Sequence, residues 1–205
     1  MLIGIRKKKK QETKNRILKS AKKLFFENGY DYTTTEEIAR EAEVASGTIF
    51  NYFDSKAEIL IEAFADDFME EMDQHEFQLD QQDLQKAAAD LIYDFIDNRI
   101  KRYSNISKKI MRQLFSSSFT AFKSKPELLK KMIDLDFMFV DELIVYINEM
   151  KARRLLPETF QSNEAAEIIY SILAFEYIIY IFQKDRTLTE LMDGIRNKVN
   201  FIIKD

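Results

Sequence analysis

Cysteine is absent from this chain of 205 residues, and glycine and proline occur only four times and twice. Without cysteine the chain has no disulfide and no thiolate to serve as a nucleophile or a metal ligand. The scarcity of turn-forming residues argues against a β-sandwich or barrel. It also leaves no glycine-rich loop to hold a nucleotide phosphate. The composition therefore predicts long helices joined by short connections.

Histidine occurs once, at His75, without the Glu three residues before it that metal sites of helical bundles use. We therefore predict no metal, no cofactor and no catalysis. The most apolar stretch, residues 168–182, spans 15 residues and contains Glu176. Since crossing a bilayer takes about 20 residues, we predict a buried helix rather than a membrane span. The apolar residues 1–5 are too few for a secretory signal, so we expect a cytoplasmic protein.

Charge is distributed unevenly along the chain. The formal net charge is −4, yet residues 1–23 hold ten Lys or Arg against Glu12 alone. A basic segment on an otherwise acidic protein indicates a polyanionic partner bound at one end. The alternatives are a solvated tail and an anionic membrane surface.

Periodic apolar residues and caps predict the helices. The first helix is expected over residues 11–28, with Gly29 as its left-handed cap. Thr34 with Glu37, and Ser55 with Glu58, have the spacing of capping boxes that start the second and fourth helices. A short third helix over 47–53 follows a bend at 44–46. Later helices are predicted near 82–102, 106–121, 127–155, 164–183 and 188–203.

These elements predict an all-α fold of about nine helices. A three-helix N-terminal domain precedes a larger C-terminal helical bundle. One apolar series in the predicted helix 127–155 keeps a helical period throughout: Leu128, Met132, Leu135, Phe139, Leu143, Tyr146 and Met150.

The second and third helices have the features of a helix-turn-helix. The small residues Ala39 and Ala42 let the two helices cross closely. Small polar residues open the third helix, so that its backbone can approach DNA: Ser46, Gly47 and Thr48. Hydroxyls and amides at the start of the second helix, and a lysine at the start of the fourth, suit phosphate contacts.

The segments Leu24–Tyr30, Thr34–Ala39 and Ser46–Leu60 together resemble the DNA-binding domain of TetR-family transcriptional regulators. The resemblance implies a helix-turn-helix domain at 10–70, with its motif over Thr34–Phe53, and an effector-binding and dimerisation domain at 71–205. It implies a ligand-responsive regulator, most often a repressor. Such a regulator is a homodimer that a small effector releases from a palindromic double-stranded operator.

The resemblance also implies site residues. Positions that approach base edges are Ser46, Gly47, Thr48, Asn51 and Glu36, although Glu36 could instead serve the helix dipole. Positions that contact phosphates are Thr34, Thr35, Tyr52 and Lys56.

Several positions near this motif carry separate expectations. Glu43 stands where many members have Gly, and we expect the bend to avoid the left-handed conformation. Phe50 stands where Tyr is common, and we expect Phe50 and Phe53 in the core. Lys7–Lys10 are expected to form a mobile arm that adds salt-dependent affinity.

The C-terminal part is rich in aromatic residues, which suits a small apolar effector. Candidate pocket residues are Met111, Arg112, Phe115, Phe119, Phe137, Tyr170, Glu176 and Tyr177. Glu176 could pair with a cationic ligand, with a basic residue such as Arg112, or across a dimer seam. The helices near 164–183 and 188–203 are the predicted dimer surface. The rival hypothesis is a non-catalytic helical bundle that binds hydrophobic ligands or an anionic membrane.

Overall fold

The computed structural model describes residues 2–73, 79–102, 104 and 106–203, with side chains described except at 2–4, 66–73, 102, 120–124 and 131. Within these ranges the chain forms nine α-helices, one short 3-10 helix at Asp83–Gln85 and no strand. The predicted all-α fold is therefore confirmed. The helices are α1 Leu2–Asn28, α2 Thr35–Glu41, α3 Ser46–Ile49, α4 Lys56–Asp73, α5 Ala88–Arg102, α6 Lys108–Ser124, α7 Pro126–Ala152, α8 Ser162–Phe182 and α9 Leu188–Ile202. His75 lies outside the described residues.

The chain separates into two compact units. The first contains residues 1–71 and 109–133, and the second contains 72–108 and 134–205. Residues 109–133 thus belong with the N-terminal helices rather than with the remainder of the segment after residue 70. The functional division at residues 70 and 71 stays a prediction.

Helix α1 supplies the core of the first unit. Its buried residues recur at helical spacing, namely Ile17, Leu18, Ala21 and Phe25. Gly29 ends the helix with φ of 84°, and its N–H donates to the Phe25 carbonyl at 3.1 Å. The left-handed cap is therefore confirmed. The start of α1 differs from prediction, because the helix begins at Leu2 and includes Lys7–Lys10. The expectation of a mobile lysine arm is wrong.

Helices α5, α7 and α9 supply the core of the second unit. Ring contacts join α5 to α7: the centroid of Phe95 lies 5.2 Å from that of Tyr146 and 5.7 Å from that of Phe139. The predicted α7 series is buried in this unit at Leu135, Phe139, Leu143, Tyr146 and Met150, while its first two members, the buried Leu128 and the half-buried Met132, belong to the first unit. In α9 the buried stripe is Leu191, Ile195 and Val199. Thr187 and Glu190 form the predicted capping box at its start.

Helix α8 forms close to its predicted bounds and is covered on one face. It spans 21 residues and, of the described helices, is the one long and apolar enough to cross a membrane. Its buried residues lie on one face, while Ile168, Phe175 and Phe182 are each about half exposed or more. One chain therefore leaves this face uncovered, and the dimer surface predicted near 164–183 stays a prediction.

Candidate nucleic-acid interface

Helices α2 and α3 pack through small and branched residues. Ile38, Ala39 and Ala42 of the α2 segment are buried, as is Ile49 of α3. Thr34 caps α2: its Oγ1 accepts from the Glu37 N–H at 3.2 Å, and the Glu37 carboxylate accepts from the Thr34 N–H at 2.8 Å. The capping box predicted from spacing alone is therefore confirmed.

The bend between the two helices uses a left-handed residue. Glu43 has φ of 53°, so the expectation that the bend avoids this conformation is wrong. The conformation lets the Val44 N–H reach the Ala39 carbonyl at 2.9 Å and the Glu43 N–H reach the Arg40 carbonyl at 3.2 Å. These bonds satisfy carbonyls that the end of α2 leaves without helical partners. The cost for a non-glycine residue is about 1–2 kcal/mol.

The predicted base-edge residues lie on solvent-accessible backbone. Ser46 and Gly47 are exposed at the start of α3, Thr48 is half-buried, and Asn51 is exposed in the turn that continues it. No heavy atom lies within 4 Å of where a Gly47 Cβ would be. The fold itself therefore leaves space there for another molecule. Glu36 is also exposed, and its carboxylate accepts from Thr35 Oγ1 at 3.2 Å.

Two phenylalanines of the motif have opposite environments. Phe53 is buried, as predicted, but 57% of Phe50 is exposed. The expectation of Phe50 in the core is wrong. Phe50 follows α3 directly and precedes Asn51, so it adds a large apolar side chain to the surface that holds the base-edge candidates. The apolar side chain of Phe50 within the motif predicted burial, and the tertiary structure shows that it is exposed.

Lys56, a predicted phosphate contact, also has a structural role. Its Nζ donates to the carbonyls of Tyr30 and Thr33, both at 2.8 Å, and lies 4.2 Å from the Tyr30 ring centroid. Burial lowers the pKa of Lys56, and Asp31 and Glu37 oppose that shift. The ammonium thus ties the α1–α2 loop to the start of α4.

Sequence reasoning missed two residues that fix the same loop. Thr33 is fully buried, and its Oγ1 donates to the Gly29 carbonyl at 2.9 Å. Lys109 of α6 pairs with Asp31 at 2.8 Å and lies 5.4 Å from the Tyr32 ring centroid. No local signal could reveal the Lys109 contact, because it joins residues far apart in sequence within the first unit.

The pocket candidates are divided between the units. Met111, Arg112, Phe115 and Phe119 belong to the first unit; Phe137, Tyr170, Glu176 and Tyr177 belong to the second. Among the candidates, the structure brings together Phe115 and Phe119, whose ring centroids are 5.1 Å apart. The ring centroid of Tyr170 lies 5.8 Å from that of Phe139. A pocket formed by all eight residues stays a prediction.

Glu176 is 2% exposed and has partners within its own unit. Its carboxylate accepts from Lys198 Nζ of α9 at 2.6 Å and from Arg186. Burial alone would raise the pKa of Glu176, but the two cations outweigh it and hold the pKa below its ordinary value. The cation suggested from sequence, Arg112, is therefore replaced by Arg186 and Lys198.

Comparison with known proteins identifies the first unit's motif. Residues 17–63 match the family described as bacterial regulatory proteins, tetR family. The transcriptional regulator HbdR of Aromatoleum sp. strain CIB is 48% identical over 50 residues, which are 24% of this chain and 22% of HbdR. The chain thus matches about a quarter of that relative's length.

Solved structures extend the likeness to the fold of nearly the whole chain. Thermus thermophilus FadR, a TetR-family repressor in complex with lauroyl-CoA, is similar with a TM-score of 0.63 at 15% identity, over 94% of this chain and 96% of that one. A TetR regulator from Rhodococcus sp. RHA1 gives 0.61 at 19% identity, over 94% and 95%. Residues 17–63 therefore carry the DNA-binding motif of the tetR family, and the fold along nearly the whole chain is similar to that of solved TetR-family regulators.

Proposed function

We propose that the protein is a ligand-responsive repressor that binds a palindromic DNA operator as a homodimer and acts in the cytoplasm without catalysis. The observation that carries this proposal is the helix-turn-helix itself. Ser46, Gly47 and Asn51 face solvent on a scaffold that Ile38, Ala39 and Ile49 hold rigid. A short helix with small, polar, exposed residues can approach base edges in the major groove.

The predicted phosphate contacts differ in whether their hydrogen-bond donors are already used within the protein. Thr34 Oγ1 already donates to Glu37, so its hydroxyl must exchange that partner to reach a phosphate. Two carbonyls accept from Lys56, which leaves one of its three protons for an anion. We therefore expect Lys56 to contribute to DNA binding both by its charge and by the position of the loop it holds.

The exposed face of α8 supports the homodimer. Ile168, Phe175 and Phe182 recur every seven residues along it, the spacing of a helix–helix seam, and Phe201 of α9 is 75% exposed. A two-fold axis would place the same face of a second copy against this one. Two recognition helices then meet half-sites about 34 Å apart.

Oligomeric state tests this surface. Phe175→Glu introduces a charge at the centre of the seam and is expected to give monomers by sedimentation velocity. Phe137→Glu is the matched control, since Phe137 is similarly exposed but lies on α7, and it should leave the dimer intact. A dimer that survives Phe175→Glu would exclude this seam.

A small apolar effector is supported by large apolar side chains that the chain leaves accessible in both units. Phe115, Phe119 and Phe137 are 37%, 62% and 63% exposed. An effector can release DNA only to the extent that it binds the released conformation more tightly. Native mass spectrometry of the purified protein should find a retained apolar compound, and adding that compound should weaken DNA binding.

DNA recognition is tested by selecting bound duplexes from a random pool and titrating the selected sequence. Thr48→Ala and Asn51→Ala should change the preferred sequence, each contact being worth about 1–3 kcal/mol of discrimination. Asn15→Ala is the matched control, because Asn15 is an exposed asparagine of α1. Equal losses on selected and random duplexes would show that Thr48 and Asn51 contact no bases. Binding to anionic vesicles with no duplex preference would favour the membrane alternative.

A further inference from the structure

The first turns of α1 carry a basic stripe that the operator contacts do not use. Arg6, Lys7 and Lys10 are exposed within the helix. Lys10 is four residues from Arg6 and three from Lys7, so both lie beside Lys10 on one side of the helix. In the part of the chain that the structure describes, none of the three has an acidic partner. Their charge is therefore available to an anion.

Contacts at the end of the stripe fix where this face points. Lys10 Nζ lies 5.9 Å from the ring centroid of Tyr52, and Lys14 Nζ lies 5.5 Å from that of Phe53. Lys14 is also paired with Glu62 of α4 at 2.5 Å. The stripe thus begins beside the turn that follows α3. Toward the N-terminus it extends away from that turn, and Arg6 is about 6 Å further along the axis than Lys10.

We propose that Arg6, Lys7 and Lys10 form a helical basic edge that binds the phosphate backbone of duplex DNA flanking the half-site contacted by α3. This inference rests on the proposed DNA-binding function and extends the bound site beyond the helix-turn-helix. Because the segment is helical and held at Lys14, its backbone is already ordered and loses little conformational freedom on binding. Phosphate contacts carry no sequence information, so the edge adds affinity without changing the preferred sequence.

Duplex DNA fits this surface better than a membrane does. A helix that lies in a bilayer interface needs an apolar face beside its basic one. Residues 6–12 are all polar, with the sequence Arg-Lys-Lys-Lys-Lys-Gln-Glu. Residues 6–12 therefore have no face that would enter the acyl region, and the one described apolar side chain ahead of them is Ile5, which is 51% exposed. The same side of α1 also meets Tyr52, one residue after the base-edge candidate Asn51.

The test compares two pairs of substitutions with equal charge change in the full chain. The first pair is Lys7→Gln with Lys10→Gln, on the stripe. The control pair is Lys8→Gln with Lys19→Gln, two exposed lysines of α1 about 160° and 180° around the helix from Lys10. Binding to the selected duplex is measured by fluorescence anisotropy from 50 to 200 mM salt, with and without ten flanking base pairs on each side.

The stripe pair should reduce the slope of log affinity against log salt by about 1.8 per protomer. Across that salt range the wild type should lose roughly 12-fold more affinity per protomer than the stripe pair does. The flanking base pairs should strengthen binding of the wild type and the control pair, and should strengthen binding of the stripe pair less, because that pair keeps only Arg6 of the edge. The selected sequence should be the same for all three proteins.

Three results would overturn the proposal. Equal slope changes in both pairs would mean that only the overall charge of α1 matters. Slopes unchanged in the stripe pair, with sequence-specific binding intact, would remove the edge while leaving the proposed function standing. A wild type that prefers no duplex but binds vesicles of phosphatidylglycerol through the stripe would contradict both the basic edge and the proposed DNA-binding function, and would assign the stripe to a membrane.

Discussion

Gly194 of α9 lies where any side chain would collide with a buried ion pair. A Cβ there would be 2.7 Å from Oε2 of Glu176 and 3.0 Å from Nη2 of Arg186. Glu176 cannot move freely, because Arg186 and Lys198 both donate to its carboxylate. Gly194→Ala therefore has two opposing effects on stability: alanine favours the helix more than glycine does, and its Cβ disturbs the ion pair.

The two effects have comparable size and opposite sign. Alanine in a helix interior is favoured over glycine by about 1 kcal/mol. Displacing the carboxylate weakens a hydrogen bond between charged groups, worth about 1.5–3 kcal/mol. The net expectation for Gly194→Ala is a loss of about 0.5–2 kcal/mol, which lowers the Tm by about 1–8 °C for a protein of this size.

A double-mutant cycle gives the sharpest test. In a Glu176→Ala background the obstacle is gone, so Gly194→Ala should instead raise the Tm by about 2–4 °C. Thermal unfolding is followed by circular dichroism at one fixed protein concentration, because dimerisation would make the Tm concentration-dependent. Gly47→Ala is the matched control, since nothing lies within 4 Å of its Cβ position. The same sign of effect in both backgrounds would refute the proposed collision.

Glu43→Gly should raise the free energy of unfolding by about 0.5–1 kcal/mol. Glycine removes the left-handed strain of the folded state, and part of that gain is offset because glycine also gives the unfolded chain more conformational entropy. An unchanged urea midpoint would contradict this. Lys56→Met should lower stability by about 1–3 kcal/mol, because the carbonyls of Tyr30 and Thr33 lose their donor, and chemical denaturation measures it. The cap carboxylates of Glu37 and Glu190 accept backbone bonds that hold their pKa below the ordinary value of 4.5. Their folded-state pKa is lowered, so their stabilisation is present above that value and is lost as the pH falls through the folded pKa. The Tm should fall on acidification from pH 5 to pH 3, and Glu37→Gln with Glu190→Gln should make that fall shallower; an equal fall in the double variant would exclude the caps as its source.

Local signals in the sequence predicted much of the fold. The caps at Thr34 and Thr187, and the left-handed Gly29, follow from interactions between residues at most four positions apart. The apolar period of α7 likewise predicted its buried face. Such features depend on neighbours along the chain, so a single sequence is enough to find them.

The features that were not predicted depend on distant residues. Phe50 has the spacing of a core residue, yet the turn after α3 directs it to solvent. Lys56 has the position of a phosphate contact, but it also donates to two loop carbonyls more than twenty residues earlier. The partners of Glu176 come from the loop before α9 and from α9 itself. None of these contacts has a spacing that a pattern along the sequence could detect.

Helix α8 shows why apolar composition alone does not assign an environment. Its length and apolarity would satisfy a bilayer, a protein core or a subunit interface equally. The arrangement of its polar atoms separates these cases. Glu176 is held on the buried face by Arg186 and Lys198 from the same unit, whereas Ile168, Phe175 and Phe182 repeat along an exposed side about 80–120° around the helix from it. A helix surrounded by lipid would need neither the seven-residue apolar repeat of Ile168, Phe175 and Phe182 nor the ion-paired carboxylate of Glu176. Both features fit the proposed dimer, in which one face of α8 packs against α9 and the exposed repeat would meet the same face of a second copy.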